Sequence, residues 1–291
     1  THNGEFSRNK QALGQHAATP RHEQGAGYAA FGLAQRTGLP GVVITTSGPG
    51  LLNALSAAGT AYAESKPMII LAPGVPLGAE FADIGALHET KNQVAAADAI
   101  VEWARRAETA QQAIDAVHDA FELFRTGRPR PVYIEIPLDV LEAAAADVTP
   151  GSLTPRPAPA AATADPDAVA AAADLLTQAK RPAILAGGGA IGGSAVLRRL
   201  AEHLGAPVVT SLNGKGVLPE SHPLAVGAEL RLEAGRSALN SSDVLLAVGT
   251  KIGEAEMWGG KGEPAGKGIR GDILASQRDK NLPSDVSLIG D

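Results

Sequence analysis

Glu23 opens a stretch almost free of charge, Gly25-Ala26-Gly27-Tyr28-Ala29-Ala30. A carboxyl group set among apolar neighbours has its charged form disfavoured, so its pKa is expected to rise toward the working pH, where it can exchange protons. A glutamate favoured at a helix start by the macrodipole would look the same in isolation. Ser47-Gly48-Pro49-Gly50, with Asn53 three residues on, offers backbone amides at a helix start and glycines that let a ring approach closely. An ordinary tight strand-to-helix turn uses the same residues. His88, in Leu87-His88-Glu89-Thr90, is of a type that carries protons near neutral pH, although a loop histidine in water is the commoner case. His2 is a weaker candidate, and His22, His118, His203 and His222 read as structural or solvated. Gly187-Gly188-Gly189-Ala190-Ile191-Gly192 satisfies the dinucleotide spacing. The acid that spacing requires about 20 residues on is missing, since the next strand ends in Thr210-Ser211-Leu212.

Taken together, Arg21-His22-Glu23-Gln24-Gly25-Ala26 and Thr46-Ser47-Gly48-Pro49-Gly50 with Asn53 resemble the pyrimidine-binding domain of thiamine-diphosphate enzymes, specifically the acetolactate synthase branch. The resemblance continues through Thr60-Ala61-Tyr62, Lys66-Pro67, Gly74-Val75-Pro76, Gly127-Arg128-Pro129 and Pro137-Leu138-Asp139-Val140. It then runs on to Gly187-Gly188-Gly189, Gly214-Lys215-Gly216 and Ala247-Val248-Gly249, nearly the whole chain. It implies that Glu23 is the catalytic carboxylate on N1' of the cofactor pyrimidine, driving the imino tautomer that lets the 4'-amino group deprotonate the thiazolium carbon. Ser47, Gly48, Pro49, Gly50 and Asn53 would line the pyrimidine side. His88 stands where acetolactate synthases usually carry glutamine and pyruvate decarboxylase-like enzymes carry the first of two histidines. There it would pass a proton to the intermediate formed on decarboxylation.

The implied activity is decarboxylation of a 2-oxo acid, with ligation or protonation of what remains. Alternatives are a 2-oxo acid decarboxylase of the pyruvate or benzoylformate type, a non-catalytic truncated relative needing a partner chain, and a nucleotide-dependent oxidoreductase built near Gly187. The resemblance implies thiamine diphosphate and Mg²⁺ as cofactors, with the metal's ligands outside this chain. The family's Gly-Asp-Gly segment, followed by an asparagine, has no match: the only Gly-Asp pairs are Gly271-Asp272 and Gly290-Asp291. The Gly187 glycines are read as turn and packing residues, which leaves FAD as the disfavoured option. The implied assembly is a homo-oligomer with active sites between subunits. Two departures stand out, Phe31 where the family usually has aspartate and Leu33 where it has tyrosine.

The elements that must position these residues follow from patterning. Of 291 residues, 44% are hydrophobic and 19% charged, which fits two folded domains rather than a disordered chain. A net charge of -6 without basic, aromatic-studded patches gives no reason to expect nucleic acid. The absence of cysteine removes disulfide, zinc-finger and thiol chemistry and fits the cytoplasm. No apolar run reaches the ~20 residues of a membrane span, and the first 18 residues do not read as a signal peptide. Short β-branched runs at 41–46, 67–72 and 131–137 alternate with helical patterns at 51–65 and 109–125. In the latter, Ala113, Val117, Ala120, Phe121 and Phe124 form an apolar stripe. A second series has strands at 182–186, 207–210, 244–248, 268–273 and 286–289, with helices from Asp165 or Asp167 to about Gln178 and over 194–204. The expected fold is α/β with two parallel-sheet, three-layer domains. A pyrimidine-binding domain spans 1–146 without its first strand, an Ala/Pro linker spans 147–164, a Rossmann-like central domain spans 165–291, and the diphosphate-binding domain is absent.

Overall fold

The apolar runs become strands, those at the centre of each sheet buried on both faces, in a computed structural model that describes residues 18–145, 148–260 and 262–291. His2 and the region before Phe6 lie outside those residues. The chain forms two compact units, Thr1–Pro159 and Ala160–Asp291, with the division inside the segment expected to be a linker.

In the first unit, α1 (Glu23–Thr37), β1 (Gly41–Ile44), α2 (Pro49–Ala63) and β2 (Met68–Gly74) are followed by α3 (Gln93–Asp98), β3 (Ala104–Arg106), α4 (Ala110–Thr126), β4 (Val132–Pro137) and α5 (Leu138–Glu142). The four strands are all parallel, in the order β1-β2-β4-β3. Helices cover both faces, which is why the strands read as near-continuous apolar runs. Val43, Met68, Ile70, Ala72 and Tyr133 pack with α1, α2 and α3 on one side. On the other side, Ile69, Val132 and Ile134 pack with α4. The α4 stripe differs from expectation at one residue. Ala116 and Ala120 are buried, but Phe121 is exposed at the stripe's edge, reaching back to Phe124 with ring centroids 6.2 Å apart. One residue beyond Ala120 is a rotation of about 100°, enough to leave the buried face.

The second unit holds α6 (Pro166–Gln178), β5 (Pro182–Ala186), α7 (Ser194–Leu204), β6 (Val208–Thr210), β7 (Ala225–Gly227), α8 (Glu233–Asn240), β8 (Val244–Val248), β9 (Lys267–Asp272) and β10 (Val286–Ile289). Its sheet is also all parallel, in the order β10-β9-β8-β5-β6-β7. The α6 and α7 residues Leu176, Leu197 and Ala201 pack with Ile184, Val208, Leu246 and Ile269 on one face. Leu239 of α8 packs with Leu185, Val209 and Leu245 on the other. Asp165 caps α6 by accepting the Asp167 N–H at 3.0 Å.

The early part of the expected linker is anchored rather than free. His118 Nε2 meets the Ser152 carbonyl oxygen at 2.9 Å, and Arg156 pairs with Asp115 at 2.7 Å and Asp119 at 2.9 Å. Its last residues belong to the second unit, where Ala162 accepts the Asp291 N–H.

Candidate active site

The site is built where α1 and α2 lie side by side, at the C-terminal end of β1. α1 starts at His22, whose Nδ1 accepts the Gln24 N–H at 3.2 Å, and stops at Gly38 in the left-handed conformation. The two helices meet in a register that advances by about one turn on each. Glu23 faces Asn53, Gln24 donates to Ser56 at 3.0 Å, Gly27 lies on Ala57, and the Tyr28 hydroxyl is 3.3 Å from that of Thr60. The close approach depends on Gly27, because a Cβ there would come within 2.6 Å of the Ala57 Cβ. Phe31 is half-buried against the core of this unit and meets Tyr28 edge-on at 6.5 Å, so the aromatic ring is accommodated by packing.

Glu23 Oε2 accepts from Asn53 Nδ2 at 3.1 Å. Its Oε1 points toward Gly50, 3.6 Å from where a Cβ of that residue would stand. The strand-to-helix turn passes through Ser47, which is half-buried, and Gly48, at φ 55° and ψ −115°, before Pro49 opens α2. That backbone conformation belongs to glycine. A Cβ at Gly48 would also fall on the His88 carbonyl oxygen. His88 is exposed, itself takes a left-handed φ of 60°, and places Nδ1 3.3 Å from Thr46 Oγ1. The structure therefore gathers Glu23, Asn53, Gly48, Gly50 and His88 around one turn, with Ser47 and Pro49 within the turn itself.

One expectation is corrected. The Glu23 carboxyl is held below the ordinary carboxylate value, not raised. Its own backbone N–H at the head of α1 is the main cause, with the Asn53 amide next. Burial of a half-buried side chain opposes them without prevailing. Within this unit Glu23 is an ionised acceptor at neutral pH.

Sequence reasoning missed the support behind the turn. The Gly48 N–H donates to Gln93 Oε1 at 2.7 Å, and Gln93 Nε2 donates to Glu135 Oε2 at 2.7 Å. Glu135 in turn pairs with Arg106, and Arg106 pairs with Glu80 at 2.5 Å. Burial and the neighbouring Glu135 push the Tyr133 hydroxyl well above its usual range, so it stays protonated beside them. A signal was present: a glutamate inside Val132-Tyr-Ile-Glu-Ile-Pro137 is a charge in a buried strand and demands a partner. The loop over 77–92 that carries His88 is pinned as well. Asp139 of α5 accepts the Leu77 N–H at 3.2 Å, and Glu89 accepts from Gly85 at 2.7 Å and Ile84 at 3.1 Å.

In the second unit the glycine-rich segment serves packing. Side chains at Gly187 or Gly189 would run into the backbone of Gly249, and one at Gly214 into the Ala186 carbonyl. Gly188–Gly193 forms a 3-10 turn, so α7 begins only at Ser194. Among the described residues, no three His, Asp or Glu side chains converge as a metal site would need. None of the described helices is long and apolar enough to cross a membrane.

Known proteins share this pattern. The family described as "Thiamine pyrophosphate enzyme, N-terminal TPP binding domain" matches residues 4–98, and "Thiamine pyrophosphate enzyme, central domain" matches 169–291. A probable 2-ketoarginine decarboxylase of Pseudomonas aeruginosa is 37% identical over all of this chain and 52% of its own length. A probable acetolactate synthase large subunit of Methanocaldococcus jannaschii is 35% identical over 93% of this chain and 47% of its own. The acetolactate synthase isozyme 1 large subunit of Escherichia coli is 32% identical over 93% and 48%. The chain thus spans about half the length of the curated relatives it matches.

Proposed function

Because the chain belongs to the thiamine pyrophosphate enzyme family, we propose that it supplies the cofactor-activating carboxylate of an enzyme that decarboxylates a 2-oxo acid and then ligates or protonates the product. The observation that carries this is the Glu23 carboxylate, oriented by Asn53 and with Oε1 facing Gly50 in a turn whose glycines let the His88 carbonyl and the Thr46 side chain pack close. The carboxylate fits a pyrimidine ring: an ionised acceptor for a ring N–H, with no side chain at Gly50 in the way. When bound, thiamine diphosphate supplies a nucleophilic carbon able to attack a 2-oxo acid carbonyl. Glu23 holds a proton at N1', Asn53 fixes the carboxylate's rotamer, and the Ser47–Gly50 backbone bounds the ring. Covering this surface by another subunit would remove water from Glu23 and move its pKa upward, toward the value proton exchange needs.

Exposed apolar side chains around the site support such a cover. Tyr28 and Leu33 project from α1, Leu52 from α2, and Phe81 and Leu87 from the loop bearing His88. We place Mg²⁺ and the diphosphate on protein outside these two domains, in a homo-oligomer whose sites form between subunits, and we place the enzyme in the cytoplasm. His88 and the likeness to the 2-ketoarginine decarboxylase favour a second reading, in which protonation replaces ligation as the closing step. Titration of the intact protein with thiamine diphosphate and Mg²⁺ tests the proposal. Saturable binding that Glu23→Gln weakens or renders unproductive is expected, and no binding at millimolar cofactor would overturn it.

A further inference from the structure

Behind the turn runs a buried chain of polar side chains that the reaction proposed above does not use. Gln93, the first residue of α3, is only 9% exposed. Its Oε1 accepts the Gly48 N–H, while its Nε2 lies 2.7 Å from both Glu135 Oε2 and the Tyr133 hydroxyl and 3.1 Å from the Pro73 carbonyl oxygen. The amide has only one workable orientation, because the backbone N–H needs an acceptor and the carboxylate needs a donor. The other Glu135 oxygen pairs with Arg106, whose second terminal nitrogen donates to the Val75 carbonyl at 2.7 Å and pairs with Glu80 in the 77–92 loop. Gly74 leaves room for this, since a Cβ there would meet Glu135 and Arg106. Burying such groups costs desolvation that an apolar cluster of the same volume would avoid.

We propose that Gln93 is a positioning residue for the cofactor-binding turn, fixing the Gly48 peptide and, through Glu135 and Arg106, tying that turn to the loop that carries His88. Gly48 is held from two sides, its N–H bonded to Gln93 and the place of a Cβ taken by the His88 carbonyl. The peptide plane cannot rotate without losing one of these contacts, so the Gly48–Gly50 segment is set before any ligand arrives. This inference rests on the thiamine diphosphate reading of the site.

The test titrates thiamine diphosphate into the intact protein with Mg²⁺ present. Gln93→Met keeps the volume and removes donor and acceptor. The half-saturating cofactor concentration should rise about tenfold, the worth of one buried hydrogen bond, while turnover at saturating cofactor falls by less. Tyr133→Phe alters the same network without touching Gly48, and should move the melting temperature but not cofactor affinity. Gln93→Glu keeps the acceptor for Gly48 and sets a carboxylate against Glu135, and the pair shares one proton in acid. Its affinity relative to the original protein at the same pH should recover as pH falls and weaken as pH rises. If Gln93→Met fails to fold, that pH profile decides alone. Cofactor affinity unmoved in both Gln93 variants, with the original protein still binding, would overturn the inference and leave the functional reading standing. Failure of the original protein to bind thiamine diphosphate would remove the functional reading and this inference with it.

Discussion

His88 lies against Gly48 and Glu23 near Gly50 of one turn, and the two answer to different constraints. Glu23 is oriented by Asn53 and by its place at the head of α1. His88 is held by strain: a left-handed φ on a residue with a side chain costs on the order of 1–3 kcal/mol. Its carbonyl packs on Gly48 and its ring reaches Thr46, contacts that offset the cost while His88 stays exposed. If His88 carries a proton in the step after decarboxylation, His88→Ala should lower kcat about 10²-fold, with the half-saturating thiamine diphosphate concentration within about twofold of the original. Steady-state kinetics with a 2-oxo acid, paired with the cofactor titration, separates the two. An unchanged kcat would remove His88 from the chemistry. Glu23 also shows the limit of reading a carboxylate from its sequence neighbours. Small apolar residues follow it along the chain, but on a helix most of them point elsewhere, and the nearest groups are an amide and a backbone N–H.

At the scale of elements, the positioning device is the pair α1 and α2. Their register sets Glu23 opposite Asn53 only because Gly27 allows contact with Ala57 one turn further on. Gly27→Val should force the helices apart, cost about 1–3 kcal/mol by overpacking, and lower cofactor affinity together with the melting temperature. A variant that melts as before and binds as before would show that the register does not depend on this contact. Most of this framework was legible in the sequence, since β2, β5 and β8 are continuous apolar runs with Pro or Gly at an end, β4 is one interrupted only by Glu135, and Thr109 and Asp165 cap helices where their side chains allow. What escaped was short or polar. β3 is Ala-Arg-Arg, a strand by its pairing to β4 rather than by its composition, and β7 is three half-buried residues at a sheet edge. α3 has six residues, too few for a periodic pattern, yet it carries Gln93. The Gln93–Glu135–Arg106 network joins residues 29 to 42 positions apart, which no local pattern reveals.

At the scale of the molecule, two units of one architecture have different uses. The first spends its glycines on a tightly packed turn beside a carboxylate. The second spends them where loops cross, at Gly187, Gly189 and Gly249. The carboxylate proposed to activate the cofactor lies in the first unit, opposite Asn53. The relatives matched are about twice as long as this chain, so turnover must be sought in the intact assembly. The most direct measurement is CO₂ release from 2-oxo acids by the intact protein supplied with thiamine diphosphate and Mg²⁺, comparing the original with Glu23→Gln. Gln keeps an acceptor for Asn53 and loses only the charge, so the melting temperature should stay put while turnover falls by at least about 10²-fold. Turnover by Glu23→Gln at the original rate would contradict the assignment of Glu23, and with it the account of the site.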